Sequence, residues 1–474
     1  MENVLDIKII WKEQVKLTLE QLIELLRIFG DQLPDPLSKR VDLRSYAEKL
    51  ENNAEIALAF HNKRIVGFLA MYANDFYNGK AHIPIVSVLK DFQGKGIGKA
   101  LLSRAIALAR QRKMINLWLT VDKDNLIAQH FYSEFRFIKT SSDGSKFIMS
   151  RDLSLNKFLL QPQITPLESG KNLCAQLGLD IDLRIKRDDL YPISGGGIKA
   201  RKIGFIVKKA IEDGYDAIVT NGGPQSNHAR ATSTIAAQLG LKCHIIIVAE
   251  SETDKIVKGN LLLMKMSGAT IEFCSKSKLD EYMNQAVNIL SKKGYNPLYI
   301  WGGGHCLQGT IAFIEAAKEA QKQCGDWIPD YLILASGTGS TQAGLSIGYR
   351  RLPTQVIGIS IARSKKRGSK IIYDLIAEYF LERNNKHYPF KVNFRDEWND
   401  GGYEMQSEEL IELISLAAKC GYFFDPTYSG KALRGLVSLV KSCEITKGSK
   451  VLLWHTGGLM NLISSETITS KYSI

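Results

Sequence analysis

Apolar side chains recur at helical spacing through residues 11–30 (WKEQVKLTLEQLIELLRIFG), while residues 55–72 (EIALAFHNKRIVGFLAMY) read as two short strands around the polar turn His61–Arg64. A strand over His82–Leu89 follows, then a glycine-rich turn, a helix over Lys99–Lys113, a strand over Ile115–Val121, a helix over Leu126–Phe135 and a last strand near Phe147–Met149. These elements predict one compact α/β unit in the first 150 residues. From Leu153 to Gln163 the periodicity disappears, and Pro162 and Pro166 bracket a new start, which places the domain boundary there: a first domain over 1–153 and a second over 157–474. In the second, short β-branched runs (Ala217–Thr220, Cys243–Val248, Tyr331–Leu334, Val356–Ile361, Val451–Trp454) alternate with helical patterns, as in a parallel sheet covered on both faces. No internal repeat or low-complexity segment interrupts the pattern.

At 474 residues the chain has room for two or three cores. No stretch approaches the roughly 18 apolar residues of a membrane span, and the start MENVLDIKII carries acids where a signal peptide carries positive charge, so the protein is expected in the cytoplasm, away from membranes. The seven cysteines all lie behind the first domain, are odd in number and form no CxxC pair; they read as reduced thiols, and no metal site is expected. The net charge of +13 is scattered along helical stretches, without a basic tail or interleaved aromatics, which fits a basic enzyme with anionic cofactors better than a nucleic-acid binder.

Candidate chemistry in the first domain sits where the strand ending in Val88-Leu89 passes through Gln93-Gly94-Lys95-Gly96-Ile97-Gly98 into a helix. Glycines there let backbone amides approach an anion, and the helix N-terminus adds partial positive charge. The Gly-Lys-Ser/Thr of a P-loop is absent at the required spacing. This turn resembles the Q/R-x-x-G-x-G/A signature of the GNAT N-acetyltransferases, and Asn125-Leu126-Ile127-Ala128-Gln129-His130-Phe131-Tyr132 resembles that family's N-x-x-A-x-x-F-Y helix. The resemblance implies that Gln93, Gly94, Gly96 and Gly98 cradle the pyrophosphate of acetyl-CoA, that Asn125 contacts the pantetheine arm and that Tyr132 protonates the departing thiolate. Taken alone, Phe131 and Tyr132 also read as core aromatics. Arg136 stands where the family places glycine after this helix, which predicts an end without the left-handed glycine cap. Glu55 and His82 are each compatible with an acceptor base, and neither is assigned.

In the second domain, Ser194-Gly195-Gly196-Gly197-Ile198-Lys199 delivers a lysine to a helix start, the arrangement pyridoxal-phosphate (PLP) chemistry needs to hold an aldehyde. Thr220-Asn221-Gly222-Gly223-Pro224-Gln225-Ser226-Asn227-His228 offers a hydroxyl and an amide after a strand, and Ser336-Gly337-Thr338-Gly339-Ser340-Thr341 offers small donors for a phosphate at a helix N-terminus. Asp400-Gly401-Gly402-Tyr403, Asp425-Pro426-Thr427-Tyr428-Ser429 and Trp454-His455-Thr456-Gly457-Gly458 complete the set.

Together these resemble the fold-type II PLP family that contains 1-aminocyclopropane-1-carboxylate (ACC) deaminase and D-cysteine desulfhydrase. The resemblance implies a tryptophan-synthase-β-like fold of two open α/β subdomains behind a GNAT fold. It also implies that Lys199 carries PLP, Asn227 bonds its 3-oxygen, Gly337, Thr338, Gly339, Ser340 and Thr341 hold its phosphate, and Ser226 contacts the substrate. Tyr403 and Tyr428 would flank the reacting carbon, Lys202 would be a supporting charge, and a homodimer is expected. Ile198 replaces the family's asparagine beside the lysine, and Ser429 replaces the glutamate that faces the pyridine nitrogen in ACC deaminases. A neutral hydroxyl there leaves the ring nitrogen weakly basic, which favours expulsion of a β-leaving group over cyclopropane opening. The expectation is a bifunctional enzyme that acetylates an amine from acetyl-CoA and carries out an α,β-elimination of the D-cysteine desulfhydrase type on a small amino acid, releasing ammonia and an oxoacid, with a racemising or biosynthetic PLP enzyme, or an ACC deaminase, as the alternative.

Overall fold

The computed structural model describes residues 7–154, 161–384, 390–403 and 405–472. Part of the Leu153–Gln163 boundary, residues 155–160, lies outside them. The chain divides into two compact units, one comprising Met1–Leu155, Ala210–Ala217 and Asn284–Leu298, the other Asn156–Lys209, Ile218–Met283 and Tyr299–Ile474.

The first unit is a seven-stranded sheet in the order β1-β2-β3-β4-β5-β7-β6, built from β1 Lys8–Trp11, β2 Glu55–His61, β3 Arg64–Asp75, β4 Lys80–Val88, β5 Asn116–Asp122, β6 Ile138–Asp143 and β7 Lys146–Asp152. Successive residues of β2 and β3 enter different cores. Ala57, Ala59, Leu69 and Met71 pack with the helix Ile97–Gln111, whereas Ile56, Leu58, Phe68 and Ala70 pack with the helices Leu19–Gly30 and Leu43–Asn53. The β2–β3 hairpin closes through Asn62 and Lys63, both left-handed (φ 47° and 67°). Pairing of β4 with β5 is parallel from Lys80↔Asn116 to Ile83↔Leu119 and stops there; the next residue, Pro84, has no amide to donate.

The helix expected from residue 11 begins only at Leu19. Thr18 caps it, accepting from Gln21 N while the Gln21 side chain accepts from Thr18 N; Trp11 ends β1, and Lys12–Gln14 form a single 3-10 turn. The pattern reading also passed over the helix Leu43–Asn53 and the edge strand β6, all six of whose residues are exposed or nearly so and thus carry no apolar alternation. At the end of the helix Leu126–Glu134 the expectation from Arg136 is overturned. Arg136 adopts φ 60°, its N–H reaches Ser133 O, and Phe137 N–H reaches Tyr132 O, so a left-handed Schellman end forms without glycine.

The second unit holds two sheets. One, in the order β12-β11-β10-β13, uses β10 Ala217–Gly222, β11 Lys242–Val248, β12 Thr270–Cys274 and β13 Pro297–Ile300; the other, β16-β15-β14-β17-β9-β8, uses β8 Leu167–Ser169, β9 Asp182–Arg187, β14 Tyr331–Ser336, β15 Gln355–Ser360, β16 Asn393–Arg395 and β17 Lys450–His455. Each of the five apolar runs picked from the sequence forms a strand, and β14 pairs parallel to both β15 and β17. The result is the α/β architecture with two open subdomains expected from the sequence. Among the described residues no helix is long and apolar enough to cross a membrane.

Candidate active sites

A cavity of about 720 Å³ in the second unit collects the glycine turns that follow the strands. Lys199 enters it from the first turn of the helix Ile198–Glu212, and its Nζ donates to Gly303 O at 3.2 Å. Burial, with the nearby Arg363 guanidinium, brings the Lys199 amine down to about 8. The helix start is anchored beneath by a buried network. Arg201 pairs with Asp188 (2.8 Å) and Glu319 (2.7 Å), and Asp188 accepts from Trp454 Nε1 and Thr165 Oγ1.

Opposite the lysine's backbone, β14 runs into Ser336–Gly339, where Gly339 (φ 91°) caps the helix Ser340–Tyr349. Ser336, Gly337, Thr338, Gly339 and Thr341 line the cavity, and Ser336 Oγ is buried without a protein partner. Ser340 differs from the expectation: its hydroxyl accepts from Lys202 Nζ (2.8 Å) and donates to Gly304 O, and it is absent from the wall. Open amides at a helix start, an unsatisfied hydroxyl and a low-pKa lysine fit PLP, with the phosphate on residues 336–341.

Ser226 caps the helix Asn227–Leu239, its oxygen accepting from Ala229 N, which leaves the hydroxyl proton to donate. Asn227 lines the same wall and donates to Asn461 Oδ1 while accepting from Asn260 Nδ2. Tyr403 and Tyr428 also line it, with hydroxyls 2.5 Å apart and rings edge to face.

Ser429 is placed less simply than the sequence suggested. It is 1% exposed and, like Ser340, absent from the cavity wall, and its hydroxyl donates to Asp425 Oδ1 (2.7 Å) while accepting from Asp425 N (2.9 Å). Asp425 also accepts the amides of Thr427, Tyr428 and Ser429. Burial nevertheless outweighs these donors and pushes its carboxyl up to about 6. The serine is therefore backed by a buried acid that the motif reading quoted and did not single out. Arg363, whose guanidinium donates to Gly337 O, was missed as well; it lies three residues past the end of β15, a position with no motif of its own.

In the first unit, β4 leads to the expected turn. Gln93 donates from its side chain to Val88 O, Gly94 (φ 74°) has open space where a Cβ would project, and Gly96 (φ 81°) caps the helix Ile97–Gln111. Gly98 lies within this helix, with Phe131 in van der Waals reach of where a Cβ would be. These amides at a helix N-terminus suit a pyrophosphate. Asn125 caps the next helix, accepting from Ala128 N at 3.0 Å. Tyr132 is buried in the core between Phe131 and Phe137, and burial raises its phenol, so it holds its proton at neutral pH. Glu55 pairs with Arg112. His82 stacks on Trp118 at 3.8 Å, and burial, with Lys49, brings it down to about 4.

Comparison with known proteins agrees with both halves. Residues 159–457 match the pyridoxal-phosphate dependent enzyme family, and residues 22–137 the acetyltransferase (GNAT) family. The D-cysteine desulfhydrases of Salmonella choleraesuis (strain SC-B67) and Salmonella typhimurium (strain LT2) are each 31% identical, over 306 and 303 residues, covering 62% of this chain and 91% of theirs. The solved structure of an ACC deaminase homologue superposes with a TM-score of 0.59 at 30% identity, covering 66% of this chain and 94% of that one. The chain therefore belongs to the pyridoxal-phosphate dependent enzymes of fold type II and carries a GNAT-family acetyltransferase module in front of that enzyme.

Proposed function

We propose that the second module eliminates the β-substituent of a small amino acid, with D-cysteine as the first candidate, and that the first module transfers an acetyl group from acetyl-CoA to an amine. The observation that carries the first reading is a lysine amine brought down to about 8 in a cavity whose wall also holds the Tyr403–Tyr428 hydroxyl pair. The named relatives support this choice of substrate.

When bound, PLP supplies an aldehyde that captures amines and a ring that withdraws electrons from the α-carbon. Lys199 Nζ, neutral in an appreciable fraction near pH 7, holds that aldehyde between turnovers and accepts the proton leaving Cα. Ser226 Oγ and the amides opening the helix Asn227–Leu239 orient the substrate carboxylate. The Tyr403–Tyr428 pair, with hydroxyls 2.5 Å apart, would supply a proton to the departing thiolate. Net, cysteine and water give pyruvate, ammonium and hydrogen sulfide. Ser429 in place of glutamate favours this β-elimination over cyclopropane opening.

The test is oxoacid release by the PLP-loaded protein from both cysteine enantiomers, both serine enantiomers and ACC, with Lys199→Ala as control. Oxoacid from cysteine or serine that vanishes in the control supports elimination, whereas release from ACC alone would replace it with deamination by ring opening. For the first module, Tyr132→Phe is expected to lower acetyl transfer roughly 100-fold without loss of folding, because the ring packing is kept; unchanged turnover would remove Tyr132 from the acid role.

A further inference from the structure

The cavity wall contains a charge that neither the motifs nor the proposed steps use. Arg230 lies four residues after Ser226, on the same face of the helix Asn227–Leu239, and lines the cavity. It is 97% buried, being 3% exposed. One nitrogen, NH2, donates to Gly196 O at 3.3 Å, while Nε and NH1 have no partner among the described residues. NH1 lies 3.0 Å from where a Cβ on Gly195 would project, so the guanidinium sits against the glycine turn that leads to Lys199. No carboxylate accompanies it: burial alone moves its pKa, down to about 10.

A buried guanidinium with two unmet donors is a costly arrangement, and it is relieved by an anion that reaches it through the open side of the cavity. The cofactor phosphate has its own donors at residues 336–341, with Lys202 bonded to Ser340 and Arg363 bonded to Gly337. The neighbouring imidazole does not compete. Thr220 Oγ1 donates to Ile300 O, so it accepts from His228 Nε2–H, and burial, with Lys199 and Lys202, keeps His228 neutral. The Gln225 amide is committed as well, its Oε1 accepting from Asn260 N and its Nε2 donating to Lys258 O, while Asn221 Nδ2 on the same wall is an unmet neutral donor without the charge that Arg230 brings to a carboxylate.

We propose that Arg230 is the carboxylate anchor of the substrate site, binding a carboxylate of the incoming amino acid together with the Ser226 hydroxyl and the amides at the start of its helix. This rests on the reading of the cavity as an amino-acid site and is independent of which bond the enzyme breaks. The carboxylate has two sources, the α-carboxylate common to all amino acids or a second one on the side chain.

The experiment uses the full-length PLP-loaded protein and follows cofactor absorbance during titration with 2-methylalanine, isopropylamine and 2-methylaspartate. 2-Methylalanine and 2-methylaspartate have no hydrogen on the amine-bearing carbon and isopropylamine has no β-leaving group, so binding is read without elimination, and a failure of the elimination chemistry leaves this result untouched. The wild type is expected to prefer 2-methylalanine to isopropylamine, and Arg230→Met to lose roughly 10- to 100-fold of that preference, the range of charge-assisted hydrogen bonds to a carboxylate. Arg230→Lys should retain part of it. If instead the lost preference is that of 2-methylaspartate over 2-methylalanine, Arg230 reads the side-chain carboxylate. Unchanged preferences in both variants overturn the proposal, and so does loss of cofactor absorbance in both, which would assign Arg230 to the cofactor cradle.

Discussion

Lys199 combines a position at a helix start with an environment that weakens its hold on the ammonium proton. Because burial and Arg363 lower the amine to about 8, the rate at which the PLP-free protein captures PLP should rise with pH up to about 8 and level off above it, whereas an ordinary lysine would keep gaining toward 10.5. Arg363→Met removes one of the two causes, so the midpoint should move upward; stopped-flow absorbance across pH checks both, and an unmoved midpoint would show that burial acts alone. The Asp425–Ser429 pair carries a second prediction. Ser429→Ala deletes a 2.7 Å bond to a buried carboxyl, which should cost about 1–2 kcal/mol in the unfolding of the second unit and raise the Asp425 carboxyl further above 6. Since that carboxyl already lies above the ordinary 3.8, its contribution to stability is full below about 3.8 and is lost as pH rises through about 6. The variant's deficit should therefore widen above pH 6 in denaturant titrations, and a deficit independent of pH would contradict the assignment.

At the scale of elements, the Schellman end at Arg136 is the clearest case of packing overriding local preference. The side chain is exposed and the backbone left-handed, so Arg136→Gly should stabilise the first unit by about 1 kcal/mol, measured by denaturant unfolding; a loss of stability would mean that the arginine side chain makes up for its backbone strain. The same comparison explains what the sequence revealed. Continuous apolar runs such as β2, β3 and β14 were legible because both of their faces enter a core. The strand β6 was not, since all its residues face solvent, and the helix Leu43–Asn53 was not, since only Ala47 and Leu50 are buried. The site followed the same rule. Lys199, Asn227, the 337–341 loop and the two tyrosines sit in motifs whose glycines and hydroxyls are contiguous. Asp425 and Arg230 act through side chains folded back on a turn or along a helix, where only a spacing of four from Ser429 or Ser226 hinted at a partnership.

Across the whole molecule, two units with separate cores carry two different cradles, each a glycine turn feeding a helix N-terminus and each suited to a phosphate-bearing molecule. Their activities should therefore be separable by mutation: Lys199→Ala should abolish oxoacid release and leave acetyl transfer intact, and Tyr132→Phe should lower acetyl transfer roughly 100-fold and leave oxoacid release intact. The most direct test of the central claim is borohydride reduction of the PLP-loaded protein followed by peptide mass spectrometry. A pyridoxyl adduct on Lys199 is the predicted result, while an adduct on Lys202 or Lys186, or none at all, would contradict the account.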